Sequence, residues 1–434
     1  MGLAGDLARV AVAPVDLTDR MRRSVACSVF DWGGVGIAGR NEPVSRAARD
    51  AATEEGGGAA GLFAGGRATM RMAAMANGAA SHALDYDDTH FLHIGHPSVA
   101  VLPAALAVAE SRGSEGAALI EAAAIGLELS CRMGDWLGRG HYEAGFHQTG
   151  TAGAFGATAA AGRLMGLDAV AMERALALCS TRAAGLKSQF GTMGKPLNAG
   201  FAAEIGVSCA ALARHGAGSN PEAIEGAQGF GPTHAGAARG AAWDGFGEAW
   251  VFPDVSYKFH ACCHGLHAML EAVRELREEG LDPDAVEAVR IVTHPRWLAV
   301  CNQRSPTTGL GAKFSYRLTA AMGIAGVDTA ALDTFSDEIT ARPDLTALRD
   351  RVIVETDEGL SDMQARVRIE TAGGMREAYH DLAALTDMGV IEARLREKSA
   401  TLLGAGRSDA LWQAVDGLDA AADARGLTRV LFDG

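Results

Sequence analysis

The chain has 434 residues, with 48% hydrophobic and 21% charged side chains and a formal net charge of −14 at pH 7. These values suit a globular protein of two or three domains and argue against intrinsic disorder. The acidic balance argues against nucleic acid as a partner, because binding phosphates takes a basic surface. Seven cysteines without a CxxC pair favour a reducing cytoplasm over a disulfide framework or a zinc ribbon.

The first half of the chain predicts helices. Between about residues 17 and 247, apolar positions recur three and four apart, with breaks at glycine-rich turns. The 55 glycines are scattered among alanines, so we expect helices that approach closely in a compact body. The longest apolar run, near residues 99–109, is short and contains Pro103, so we expect no membrane span. We also expect no export signal.

The periodicity changes from Val286 onward. Residues 288–294, 351–356 and 363–371 are rich in β-branched side chains and predict strands. In the last of these segments apolar and polar residues alternate, as expected of an antiparallel strand with one solvated face. Helical periodicity returns from about residue 386 to residue 427.

These changes of periodicity predict a mainly α protein with two domains. A large all-helical domain is built from both chain ends, residues 1–253 and 386–434. A smaller α+β domain, residues 254–385, is inserted between them. The two ends of the chain are therefore expected to meet in one domain.

Ionisable side chains are concentrated in residues 82–98, HALDYDDTHFLHIGHPS, which contain four histidines and three aspartates. A helix that continued through Asp88 would place Asp85 and Asp88 on one face. Pro97 disfavours a helical conformation at the preceding residue, so we expect His96 on a loop just before a new helix. The cluster fits a metal site, a proton-transfer site that needs no metal, or a polar helix end.

The spacing disfavours the metal site. Zinc would need two histidines four residues apart on one helix with a glutamate, or a similar cluster. His93 and His96 are three apart with a glycine between them, and DDTHF is not the DDxxD pattern of a magnesium site. We therefore expect no metal here.

Three later segments place a histidine or a lysine at a glycine-flanked helix start. In GFHQTGTAGAFG, His147 precedes Thr149 and Thr151, either of which suits a helix cap. In GTMGKPLNAG, Lys195 precedes Pro196, so its ammonium is expected to project from a helix start. Helix N-termini carry free N–H groups and partial positive charge that suit a carboxylate. The third segment, SYKFHACCHGLHAMLEAV, has four basic side chains ahead of an amphipathic helix: Lys258, His260, His264 and His267.

In order and spacing, these strings and the stretch NGAASHALDYDDTH resemble the successive motifs of the MmgE/PrpD family. The resemblance runs from about residue 19 to residue 389. The family contains 2-methylcitrate dehydratase, cis-aconitate decarboxylase and iminodisuccinate epimerase. The resemblance implies an all-helical domain, a smaller α+β lid domain, a homodimer, and catalysis without a metal or cofactor.

The resemblance also implies an active site. The chemistries of the family share the handling of a proton on carbon next to a carboxylate in a di- or tricarboxylate. Histidine supplies a base near neutral pKa, and lysines can hold the developing enolate charge. The residues that match the family's active-site motifs are, in chain order, Asp85, Thr89, His96, His147, Lys195 and Lys258.

Four positions depart from the usual family pattern. The third motif usually continues Lys-Pro-Leu-His, and here its last residue is Asn198. The second motif usually has proline where this chain has Gln148, and the fourth often has arginine where this chain has His264. Relatives often carry tyrosine at the position of Leu318, while this chain has Tyr316. These departures put 2-methylcitrate itself in doubt as the substrate.

We expect a dehydratase-type lyase that acts on a polycarboxylate. His96 or His147 is the base and the other is the acid, with Asp85 orienting an imidazole; which histidine has which role is left open. The expected contacts to substrate are Thr89, Lys258, His264, Tyr316 and Tyr142.

Three alternatives stay open. An epimerase of an amino-dicarboxylate would need two bases on opposite faces of one carbon, and Lys195 would then face His147 or Tyr142. A decarboxylase of cis-aconitate would use the same site. A homologue without activity would only bind the ligand.

Overall fold

The computed structural model describes residues 2–384 and 387–433. The chain divides into two compact units, one formed by Met1–Tyr257 with Asp387–Gly434 and the other by Lys258–Thr386. Helices predominate, so the protein is mainly α as predicted.

The helices are, in chain order, α1 (Leu3–Val12), α2 (Asp19–Gly39), α3 (Pro43–Glu54), α4 (Met70–His82), α5 (Ser98–Arg112), α6 (Gly116–Glu143), α7 (Gln148–Leu164), α8 (Ala169–Cys179), α9 (Gly194–Arg214), α10 (Phe230–Thr233), α11 (His267–Glu278), α12 (Gly309–Ala312), α13 (Tyr316–Ile324), α14 (Asp337–Thr340), α15 (Pro343–Arg349), α16 (Met388–Leu403), α17 (Ala405–Asp416) and α18 (Arg425–Phe432). The strands are β1 (Ala60–Gly61), β2 (Arg67–Ala68), β3 (Val286–Thr293), β4 (Val352–Thr356), β5 (Gln364–Thr371) and β6 (Gly374–Asp381).

Close helix contacts made by glycine organise the first unit. A Cβ atom on Gly200 of α9 would lie 2.3 Å from the carbonyl oxygen of Met75 in α4. A Cβ atom on Gly78 would lie 2.8 Å from the Cα atom of Gly200. The two backbones therefore touch, as the small-residue pattern predicts. This crossing brings the end of α4 beside the start of α9.

Helix α9 is buried in this unit. By length and composition alone, α9 is long and apolar enough to cross a membrane. However, 72% of its most apolar 18-residue segment is buried inside the structure. A core helix of a globular protein has the same composition, and the close contact with α4 favours that interpretation.

The second unit contains a four-stranded sheet with the order β4-β3-β5-β6. Strands β3 and β4 are parallel, and the other two pairs are antiparallel. All three predicted strands are present. Within β5 the apolar residues Ala365, Val367 and Ile369 are buried while the residues between them are partly exposed, which confirms the predicted alternation.

The fourth strand, β6, was not predicted. It pairs only with β5 and none of its residues is fully buried, so it lacks an apolar alternation. A tight turn connects β5 to β6 and places the two strands side by side. Gly374, which ends this turn, has a positive φ of 113° and pairs with Thr371.

The crossing of α4 and α9 leads to a stability prediction. Gly200→Ala should lower the free energy of unfolding by about 1–3 kcal/mol, because the methyl group overpacks a backbone contact. Gly406→Ala in α17 is the matched control, since a Cβ atom there meets nothing within 4 Å. The control should gain roughly 0.5–1 kcal/mol from helix propensity. Urea unfolding of both variants measures these free energies. If both substitutions raised the free energy of unfolding by the same amount, the close crossing would be contradicted.

Candidate active site

The polar segment begins where α4 ends. Helix α4 stops at His82, and Asp85 has a positive φ of 52°. The helix therefore does not continue to Asp88, so the condition under which Asp85 and Asp88 would share a helix face is not met. Aspartate is among the few residues other than glycine that adopt this left-handed conformation readily, which permits the sharp departure from the helix.

A buried carboxylate, that of Asp87, lies between two imidazoles. His82 Nδ1 is 2.9 Å from Asp87 Oδ1 and 3.0 Å from Oδ2, within hydrogen-bond distance. His96 Nδ1 is 2.9 Å from Asp87 Oδ2, although the angle of this contact falls short of a well-formed hydrogen bond. The rings of His82 and His96 meet edge to face, with centroids 4.6 Å apart.

Asp87 is held as an anion. Burial by itself would raise the pKa of its carboxyl, but the neighbouring imidazoles of His82 and His96 lower that pKa below its ordinary value. An ionised carboxylate only accepts hydrogen bonds, so the Nδ1 atom of each imidazole is the one that carries a proton toward it. The sequence analysis named neither Asp87 nor His82 as a site residue, because nothing in the spacing separates Asp87 from its two aspartate neighbours.

Lys195 completes a second ion pair in the site. Its Nζ atom lies 2.7 Å from Asp85 Oδ2, and Asp85 Oδ1 lies 3.5 Å from His96 Nε2. The side chain of Asp85 is 46% exposed, while that of Lys195 is 16% exposed. Lys195 stands in the first turn of α9, as predicted. The structure thus brings together three of the predicted catalytic residues.

His147, the fourth predicted catalytic residue, is the cap residue of α7. Its ring stacks on His82 with centroids 5.9 Å apart and meets the edge of Phe190 at 4.9 Å. The prediction that Thr149 or Thr151 caps this helix is wrong. Thr149 instead accepts a hydrogen bond from the backbone N–H of His96, at 3.0 Å, and Thr151 contacts a histidine of α6.

The pKa of His147 lies well below its ordinary value. Burial is the largest cause, and the positive charges of His82, Lys195 and His96 act in the same direction, against a smaller opposing effect of Asp85. His147 is therefore neutral at neutral pH, and its chemistry depends on which ring nitrogen carries the proton.

Asp88 stabilises the end of the loop that carries His96, through hydrogen bonds from Ser98. Asp88 Oδ1 accepts from the backbone N–H of Ser98 at 3.3 Å, and Oδ2 accepts from the hydroxyl groups of Ser98 and Ser28. Burial raises the pKa of Asp88 to about 7, against the hydrogen bonds from Ser98. Helix α5 begins at Ser98, directly after Pro97, which confirms the predicted helix start.

The remaining predicted residues of the first unit are Thr89 and Tyr142. Thr89 pairs with Ser256 through reciprocal backbone hydrogen bonds of 2.8 Å. The ring of Tyr142 lies under the ammonium of Lys187, 3.7 Å from ring centroid to Nζ. Their expected contact with substrate stays a prediction.

Three predicted substrate contacts belong to the second unit. Lys258 is its first residue and is buried, and His264 stands just before α11. Tyr316 is also buried; its hydroxyl donates to the carbonyl oxygen of Gly265 at 2.5 Å and lies 3.0 Å from Thr293 Oγ1. Tyr316 thus braces the backbone next to His264. A role of these residues in substrate binding stays a prediction.

Family models match both parts of the chain. Residues 7–239 match the MmgE/PrpD N-terminal domain and residues 260–389 match the MmgE/PrpD C-terminal domain. The chain belongs to the MmgE/PrpD family, as its motifs indicated.

Several curated relatives that the chain resembles are named cis-aconitate decarboxylase. The chain is 34% identical over 168 residues to cis-aconitate decarboxylase of Homo sapiens, covering 38% of this chain and 35% of that protein. It is 26% identical over 295 residues to the Mus musculus enzyme of that name, covering 65% of this chain and 60% of that protein. It is 32% identical over 220 residues to that of Aspergillus terreus, covering 47% and 45%. The matches thus span 35 to 60% of the length of these relatives.

The cluster also has the composition of a metal site, which generates a prediction. Ligand atoms of His82, Asp85, Asp87 and His96 lie within 4.8 Å of one another. The carboxylate of Asp85 is already paired with the ammonium of Lys195, and that of Asp87 already lies against the Nδ1 atoms of two imidazoles. We therefore expect that dialysis against EDTA changes neither the thermal melting temperature nor the activity. One equivalent of a transition metal per chain in elemental analysis, with melting lowered by its removal, would contradict this.

A second prediction concerns Asp87. In Asp87→Asn the amide can accept from one imidazole only, so at pH 7 the free energy of unfolding should fall by about 1–3 kcal/mol. The lowered pKa of Asp87 means that its contribution is present above the ordinary aspartate pKa of about 3.9 and is lost as the pH falls below it. The difference between wild type and variant should therefore shrink below about pH 4.

Urea unfolding between pH 3 and pH 7 measures this difference. Asp409→Asn, an exposed aspartate paired with Arg396 on the surface, is the matched control and should change stability by less than about 0.5 kcal/mol. A difference between wild type and Asp87→Asn that is independent of pH would show that Asp87 is not held as an anion.

Proposed function

We propose that the protein is a lyase that transfers protons at a carbon next to a carboxylate of a di- or tricarboxylate. One observation carries the proposal: two imidazoles that can transfer protons to and from a substrate lie close to an ammonium. The rings of His96 and His147 both contact His82, and His96 and Lys195 both lie beside Asp85. The names of the family relatives, which are cis-aconitate decarboxylases, support a lyase.

The charges of the site suit an anionic substrate. Lys195 lies in the first turn of α9, where the helix dipole adds partial positive charge. Its partner Asp85 is half exposed, so a substrate carboxylate can take the place of Asp85 against the ammonium. Negative charge that develops on the substrate during reaction is then stabilised by the same ammonium.

Two lyase reactions are compatible with these residues. In a dehydration, one imidazole removes the proton from carbon, the electron pair forms the double bond, and the hydroxide leaves with a proton from the second imidazole. In a decarboxylation, the bond to the carboxylate breaks, carbon dioxide leaves, and an imidazole donates a proton to the carbon that keeps the electron pair. The sequence analysis favoured dehydration; the names of the relatives favour decarboxylation of cis-aconitate.

The test uses the purified full chain with cis-aconitate, citrate and 2-methylcitrate in D₂O. Release of carbon dioxide reports decarboxylation, and absorbance of a new conjugated double bond reports dehydration. We expect one of the two, reduced at least about 100-fold in His147→Ala, since proton-transfer groups contribute about 10²–10⁴-fold. Arg182→Ala, which removes an exposed positive charge paired with Glu204 of α9, is the control.

Two outcomes would contradict the proposal. No product from any of the three substrates would remove its support. In a parallel incubation with an amino-dicarboxylate in D₂O, exchange of deuterium without a change in the carbon skeleton would instead identify an epimerase, the alternative in which Lys195 acts as a second base.

A further inference from the structure

Asn198 contacts the catalytic imidazole of the second motif. It lies in α9, one turn after Lys195, and is buried. Its Nδ2 atom is 3.2 Å from His147 Nδ1 and 3.3 Å from the carbonyl oxygen of Leu186. The side-chain amide therefore bridges a backbone carbonyl and one ring nitrogen.

The orientation of this amide is determined by Leu186. A carbonyl oxygen only accepts hydrogen bonds, so the NH₂ group of Asn198 must face it, and the opposite orientation would bring two oxygens together. The backbone fixes this carbonyl in place: the N–H of His147 donates to Gly185 at 2.9 Å, and Phe146 pairs with Leu186 as in an antiparallel bridge.

The position of the amide determines the proton on the imidazole. The NH₂ group that faces Leu186 also faces His147 Nδ1, which must then accept and cannot carry a proton. A neutral imidazole with an unprotonated Nδ1 carries its proton on Nε2. Burial and the neighbouring charges of His82, Lys195 and His96, opposed by Asp85, keep the pKa of His147 low, so the neutral ring is the relevant form.

His96 has the opposite arrangement. Its Nδ1 atom lies 2.9 Å from the carboxylate of Asp87, an acceptor, so this nitrogen carries a proton. Its Nε2 atom faces Asp85 Oδ1 at 3.5 Å; when a substrate carboxylate takes the place of Asp85 beside Lys195 and the ring is neutral, Nε2 has the lone pair. One site thus contains two histidines with opposite tautomers, one of which offers a proton from Nε2 while the other can accept one there.

We propose that Asn198 is a positioning residue that holds His147 in the Nε2–H tautomer, and that His147 is consequently the proton donor of the site and His96 the acceptor. The assignment of donor and acceptor rests on the proposed function. In a dehydration, the substrate C–H proton passes to His96 Nε2, the electron pair of that bond forms the double bond, and the hydroxide leaves as water with the His147 Nε2 proton. The imidazolate left at His147 then regains a proton from the imidazolium formed at His96, so both rings return to their starting forms. In a decarboxylation, the His147 proton passes to the carbon that has lost carbon dioxide.

Asn198→Asp tests the proposal with a side chain of nearly the same shape. A carboxylate at this position only accepts, so Nδ1 of His147 should become protonated. Long-range ¹H–¹⁵N NMR of protein labelled at histidine, with His147 assigned by comparison with His147→Gln, measures which nitrogens carry protons. Wild type should show a protonated Nε2 and an unprotonated Nδ1; Asn198→Asp should show Nδ1 protonated.

Kinetics give a second measurement. We expect kcat of Asn198→Asp to fall at least about tenfold, because the acid is held in the wrong tautomer or charge state, while KM changes by less than about threefold. Gln189→Glu is the control: it adds the same charge in the neighbouring loop but keeps its acceptor oxygen on Thr192, and the His147 tautomer should be unchanged.

The outcomes separate this inference from the proposed function. A protonated Nδ1 in the wild-type protein would overturn the role of Asn198 whatever the activity, and this measurement does not depend on the folding of any variant at position 198. An unchanged kcat in a folded Asn198→Asp whose tautomer has switched would overturn the assignment of His147 as donor. Correct tautomers without lyase activity would leave Asn198 as the positioning residue and contradict only the proposed function.

Discussion

The buried charge of Asp87 is the constraint on which the site depends. A buried carboxylate needs hydrogen-bond donors around it. The two imidazoles beside Asp87 therefore cannot rotate or change tautomer without leaving the anion unpaired. Burial of the anion therefore fixes the orientation of His82 and His96. His82 in turn stacks on His147, so one carboxylate orders three rings.

The glycine contact between α4 and α9 explains how these groups come together. The residues that follow α4 supply two carboxylates, and the start of α9 supplies an ammonium and an amide. The two backbones touch at Gly78 and Gly200, and this contact brings the end of α4 close to the start of α9. The abundance of glycine and alanine, which first indicated tight helix packing, is thus a condition for the chemistry.

Sequence patterns predicted what local rules determine. The helix starts near Pro97 and Pro196 and the alternation in β5 depend on residues that are adjacent in the chain. The roles of Asp87 and Asn198 depend on which side chains the fold brings within hydrogen-bond distance, His82 for Asp87 and His147 for Asn198. The spacing of residues along the sequence does not determine these partners. The hairpin partner of β5 was missed for a related reason, because an edge strand without a buried face has no apolar alternation.

The first turn of α9 differs from the rest of that helix in a way that matters for engineering. The helix body is apolar, buried and confined by α4, so few side chains fit there. Lys195, which pairs with Asp85, and Asn198, which contacts His147, lie in the first two turns and precede the crossing. A designer can therefore exchange this turn for that of another family member and alter the chemistry as a module, while the framework that carries it stays as it is.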